Sequence, residues 1–163
     1  MSLWWGVVIV AVLAFVLFGL PPIVFAYLRA EARKARTLFF QQQSHLQELF
    51  FSAASQSGKP RGLRWKNIEW TTNVVELARD RKTQQLVAFA GITISFEAVE
   101  GSDMEGLPAV GNLRNATALF VFHRGKWITS GKAIFNLNPD EILDTYKEQY
   151  NPVTVPDSPD SSA

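Results

Sequence analysis

Cysteine is absent from this 163-residue chain, which excludes disulfide scaffolds, thiolate metal sites and cysteine nucleophiles. That absence suits a reducing and an oxidising compartment equally. Histidine occurs only at His45 and His123, so neither a three-histidine zinc site nor an HExxH motif can be built. Both histidines are expected to be structural or solvent-exposed. No GxxxxGK[ST], GxGxxG or GxSxG pattern occurs, which removes the usual phosphate-cradling loops and the hydrolase elbow. The most telling scarcity is of charge: no acidic or basic side chain precedes Arg29.

What fills that uncharged stretch is a nearly unbroken apolar run from Leu3 to Leu20, about 27 Å long as a helix and close to the hydrocarbon thickness of a bilayer. Trp4 and Trp5 at one end and Tyr27 near the other suit the two interfaces. Met1-Ser2 is too short for a basic n-region, and Pro21-Pro22 with the basic residues beyond argues against processing after Val24-Phe25-Ala26. An uncleaved anchor is expected.

Arg29, Arg33, Lys34 and Arg36 follow at once against the single acid Glu31, and form a membrane-surface collar. By the positive-inside rule they predict a cytoplasmic C-terminal domain. From Thr37 onward the chain holds 12 basic and 14 acidic residues, a balance of −2, so the net charge of +1 reflects the collar. The domain itself carries no excess that would point to nucleic acid.

Pro21-Pro22 predicts a kink near the end of the span. From Ile23 to Ala54 there is no Gly or Pro, and Leu38, Phe39, Leu46, Leu49, Phe50 and Ala53 form one apolar stripe. That stripe predicts packing on the chain's own sheet or a parallel coiled coil giving a homodimer. Ser52–Pro60 reads as a linker. Strand-like segments follow at Arg61–Thr71, Val74–Arg79 and Leu86–Val99, the last placing Ala88, Ala90, Ile92, Ile94 and Phe96 on one face. Glu100–Gly111 is a Gly- and acid-rich loop.

Arg114–His123 and Lys126–Asn136 read as a hairpin turning at Arg124-Gly125. Pairing His123 with Lys126 puts Phe122 opposite Trp127, Phe120 opposite Thr129, Ala118 opposite Gly131 and Ala116 opposite Ala133. One face is then aromatic near the turn and small further along, which admits a close helix or leaves a cavity. Asn138-Pro139-Asp140-Glu141 is a helix N-cap with a capping box. Ile142, Leu143, Tyr146 and Tyr150 supply the buried stripe of that helix, which Asn151-Pro152 ends.

The fold class is therefore α+β: a transmembrane helix, an amphipathic helix, a curved antiparallel sheet of about five strands and a short C-terminal helix. The domain plan is an anchor over 1–28, and collar, connector helix and start of a linker over 29–57. A soluble domain follows over 58–150, and a disordered tail over 151–163. The order of elements over 37–150 resembles the cystatin-like or nuclear-transport-factor-2-like plan, in which a sheet wraps a helix. This resemblance implies a fold and no activity.

No catalytic constellation, cofactor site or metal site is expected. Glu97, Glu100, Asp103 and Glu105 read as a solvated loop rather than an oxygen-ligand cage. The expectation is a single-pass, membrane-anchored, non-catalytic module whose partners are the bilayer and a protein. The alternative is a small-ligand-binding or weakly enzymatic domain with a pocket in the sheet concavity. Trp65, Trp70, His123 and Trp127 are the candidate pocket or patch residues.

Overall fold

A computed structural model describes residues 3–56 and 62–155. The short n-region, the linker over 57–60 with Arg61, and the tail from 156 lie outside the described residues. The chain begins with helix α1 (Leu3–Ala14), passes through a π turn (Phe15–Gly19) and continues as α2 (Leu20–Gln41). Pro21 and Pro22 have no N–H to give the carbonyls one turn back, so the ladder must adjust near them. It does so ahead of the prolines, where the Leu20 N–H bonds the Phe15 carbonyl in a wide turn. The expected interruption is thus a π turn at 15–19, and helix runs on through both prolines.

Helix α3 (Gln43–Gln56) follows after a break at Gln42, and it occupies the first half of the segment read as a linker. Ala32, Ala35 and Phe39 of α2 and Leu46, Phe50 and Ala54 of α3 are buried in one core cluster with the sheet. Of the predicted stripe, Phe39, Leu46 and Phe50 therefore face the chain's own strands, Leu38 and Ala53 are half-buried, and Leu49 is exposed.

The sheet contains β1 (Leu63–Asp80), β2 (Leu86–Ala98), β3 (Arg114–His123), β4 (Lys126–Ile128), β5 (Ala133–Phe135) and β6 (Tyr150–Pro152). Its order is β4-β3-β2-β1-β6, with β5 also on the outer edge of β3, and every pairing is antiparallel. The fold is α+β. The two strand-like segments at 61–79 form the single strand β1, whose register against β2 slips between Trp65 and Asn67 and again between Trp70 and Val75. Extra residues on one strand increase local twist and bend it. The sheet can thereby curve around α2 and α3.

Alternation along β2 holds as read: Ala88, Ala90, Ile92, Ile94 and Phe96 are all buried on the helix-facing side. Val87 and Phe89 point the other way, into a second cluster with Ile142 of α4 (Pro139–Thr145) and Tyr150. The hairpin pairs His123 with Lys126 and Phe122 with Trp127, as the pattern predicts. Further along, Ala118 meets Ala133 and Ala116 meets Phe135, two residues beyond the expected partners. Two residues is an even slip, so every side chain keeps its face.

The slip is taken up between β4 and β5. There the Thr129 hydroxyl donates to the Leu119 carbonyl at 2.9 Å, and the Leu119 N–H donates to the Lys132 carbonyl at 3.1 Å. Gly131 sits in this stretch at φ +74°, against the backbone of Ala53 and Ala54.

The capping box closes α4 as expected, with the Asn138 N–H donating to Glu141 Oε2 at 2.7 Å. The helix stops at Thr145, however, and Tyr150 belongs to a strand instead of the helix stripe. Residues 150–152 pair along the outer edge of β1, satisfying backbone groups that would otherwise stand open. Tyr150 is buried with its ring 5.0 Å from Phe89, whereas Tyr146 is exposed. The segment read as tail from residue 151 is thus strand at its start, and Val153 and Val155 pack against the main core.

Candidate functional site

The concavity of the sheet is occupied by aromatic side chains of α2 and α3. Phe39 meets Phe120 at 5.2 Å and Trp127 at 5.4 Å, and Phe50 meets Trp70 at 5.5 Å and Phe120 at 5.8 Å. The small residues Ala88, Ala90, Ala116 and Ala118, all buried, form the floor that lets the helices approach. Of the four candidate pocket residues, Trp65 and Trp127 are buried and Trp70 is half-buried, all within this packing. His123 is exposed at the hairpin turn, its Nδ1 3.2 Å from Gln85 Nε2. The structure does not bring the four together around one space. Trp127 Nε1 donates to the Ala35 carbonyl at 2.8 Å and so fastens α2 to the hairpin. Trp65 Nε1 and Ser55 Oγ are buried with no hydrogen-bond partner among the described residues.

Among the described residues no three acidic or histidine side chains converge as metal ligands. Within the acid-rich loop, Glu97 pairs with Arg64 at 2.6 Å and Glu105 accepts from the Gly101 N–H at 2.8 Å.

Chemistry-bearing side chains concentrate at one end of the sheet, where α2 enters the domain. Arg79 at the end of β1 donates to Glu31 of α2 at 2.9 Å and to the Gln84 carbonyl at 2.7 Å. Asp80 caps the β1–β2 turn by accepting from the N–H groups of Lys82 and Thr83, both at 2.9 Å. The Thr83 N–H is the main reason its carboxyl is held below the usual carboxylate range, with Gln149 and Lys82 assisting against some burial. Burial pushes the Tyr150 phenol above its usual value, and the Asp80 charge adds to the rise.

The Arg81 N–H donates to the Gln149 carbonyl at 2.8 Å, and the Gln85–His123 contact ties the β1–β2 turn to the β3–β4 turn. Three turns, at 80–85, 123–126 and 146–149, therefore share the end of the sheet next to Glu31–Ala35.

The collar lies beside these turns. Arg29, Arg33 and Lys34 are exposed, with the Arg29 guanidinium 4.2 Å over the Phe25 ring. Arg36 is half-buried, 5.7 Å over Phe40. A groove of about 320 Å³ separates Phe25, Leu28 and Arg29 of α2 from Arg79 and the segment Asn151–Thr154. The domain thus approaches the helix within its uncharged stretch.

N-terminal to that junction, large apolar side chains from Trp4 to Tyr27 are exposed, Trp4 by 85% and Phe18 by 79%. Helix Trp4–Gln41 is long and apolar enough to cross a membrane, and none of its most apolar window is buried within the chain.

The sequence located the collar but not the turn cluster around Arg79 and Asp80. The signal available was the basic pair Arg81-Lys82 in one turn and Arg124 with Lys126 in another, in strands that alternate direction. No family model, no curated protein and no solved structure matches the chain.

Proposed function

We propose that this chain is a single-pass membrane-anchored interaction module, non-catalytic, holding its α+β domain against the cytoplasmic face of a bilayer. The observation that carries the reading is the helix from Trp4 to Gln41. Its first half is apolar and uncovered by protein, while its second half is built into the domain core. Exposed aromatic and aliphatic surface on that scale is unfavourable in water and favourable in lipid. Four basic residues directly after the span support the cytoplasmic orientation. The helix lying across a curved antiparallel sheet supports the cystatin-like plan, and the filled concavity favours a surface role over a pocket.

The protein partner would meet the end of the domain away from the anchor. There Val99, Leu107 and Leu113 are exposed beside Glu100, Asp103 and Glu105, an apolar surface edged with acid. The chain lacks cysteine, so Asp103→Cys supplies one reporter thiol in that exposed loop. Resistance to alkaline extraction, with labelling by an impermeant maleimide only after cells are permeabilised, is the expected result. Extraction into the soluble fraction would remove the anchor, and labelling of intact cells would reverse the orientation.

A further inference from the structure

We infer that the helix-entry end of the sheet is a second membrane contact, in which Arg81, Lys82, Arg124 and Lys126 seat on anionic phospholipid headgroups of the leaflet the anchor crosses. This rests on the anchoring proposed above and adds a surface that the collar does not include. The juxtaposition follows from contacts already described. Arg79 joins Glu31, Gln85 joins His123, and Trp127 joins Ala35, so the β1–β2 and β3–β4 turns both lie beside the first turns of α2 after the uncharged run. All four cations are exposed.

The domain has no clearance from the bilayer. The last uncharged residue is Leu28, and the groove between helix and domain already includes Phe25 and Leu28. Twenty residues from Leu3 to Pro22 cover about 30 Å of hydrocarbon. Residues 23–28 then fall at headgroup depth, level with the near edge of the domain.

The acids at this end offset the cations only in part. Glu31 is paired with Arg79 and Glu148 stands beside Lys147, while Asp80, which keeps its charge when held by two backbone amides, and exposed Asp144 remain against Arg81, Lys82, Arg124 and Lys126, a surplus of two before the collar is counted. The exposed acids of the β2–β3 loop lie at the other end of β2, 13 residues and about 40 Å away. The domain therefore presents positive charge to the leaflet and negative charge away from it. Only an anionic surface is attracted by that arrangement.

The β3–β4 turn adds a local argument. Arg124 and Gly125 have φ of +50° and +81°, the two-residue turn in which Asn-Gly is the favoured pair. Arginine is a poor choice for that backbone and a good one for a phosphate. Arg124→Asn should consequently leave the fold as stable or more so while weakening the contact, which separates docking from folding.

The test uses full-length protein carrying a fluorophore at Thr83→Cys, or at Asp103→Cys as the distal reference. Each is reconstituted in phosphatidylcholine vesicles with or without about 30% phosphatidylserine and a headgroup-linked quencher. Quenching at position 83 that needs phosphatidylserine, with none at 103, is expected. Removing cations with R81Q, K82Q, R124N and K126Q should lower the seated-to-unseated ratio about fivefold for each residue.

Quenching at 83 that ignores lipid charge or the four substitutions would overturn the inference, as would equal quenching at 83 and 103. Flotation of the same vesicles scores the anchor separately. Protein that floats yet is not quenched refutes headgroup docking alone, whereas protein that fails to float refutes the anchoring on which it rests.

Discussion

Gly131 is where the connection between β4 and β5 passes under α3, and it offers a quantitative check on how closely helix and sheet meet. A Cβ on this residue would fall well inside contact distance of the Ala53 and Ala54 backbone, which cannot swing aside as a side chain would. The residue also sits at φ +74°, a region that costs an L-amino acid about 1–2 kcal/mol. Displacing packed backbone adds about 1–3 kcal/mol. Gly131→Ala should therefore destabilise the domain by about 2–5 kcal/mol.

Gly125 provides the control. Its φ of +81° imposes the same backbone penalty, but nothing lies within 4 Å of its Cβ position. Gly125→Ala should cost only the first of the two contributions. Thermal unfolding of the full chain in lipid nanodiscs, followed by circular dichroism, would resolve the pair. At about 4 °C per kcal/mol for a domain of this size, Gly131→Ala should melt at least 4 °C below Gly125→Ala. Equal losses would refute the close approach of helix to sheet.

Three further outcomes are expected. In a double-mutant cycle of Arg79→Met and Glu31→Gln, the half-buried pair should show a coupling of about 1 kcal/mol, read as melting temperatures, and additive losses would dismiss it. Asn138→Ala should remove about 1 kcal/mol by uncapping α4 and should be additive with Gly131→Ala, since α4 lies on the other face of the sheet. The pH profile should fall at both extremes. Asp80 ionises more readily folded than unfolded, so its stabilisation is full above the ordinary carboxylate value near 3.9 and fades as pH drops through the folded value. Tyr150 ionises less readily folded, so stability declines as pH rises beyond about 10, and Tyr150→Phe should abolish that alkaline loss in a melting-temperature series.

Patterns carried by neighbouring residues were legible without coordinates. The uncharged N-terminal run, the alternation along Leu86–Ala98, the His123–Lys126 turn and the Asn138 capping box all depend on spacings of a few residues. The backbone period turns such spacings directly into faces. The length of α4 was misread because Tyr146 and Tyr150 have helical spacing. Only the open edge of β1, a partner about 70 residues away, draws Tyr150 into a strand. The two-residue slip between Ala118 and Ala133 was likewise invisible, since an even slip preserves the hydrophobic pattern.

The sequence by itself determined that an apolar helix precedes a basic collar and a run of antiparallel strands, with a tight turn at 123–126. Which end lies beside the helix entry, and so which charges stand next to the apolar helix, was decided only by tertiary structure. The reason is physical: a local period fixes which face of α2 is buried, whereas its contacts at the entry end, Arg79 with Glu31 and Trp127 with the Ala35 carbonyl, join residues far apart in the chain.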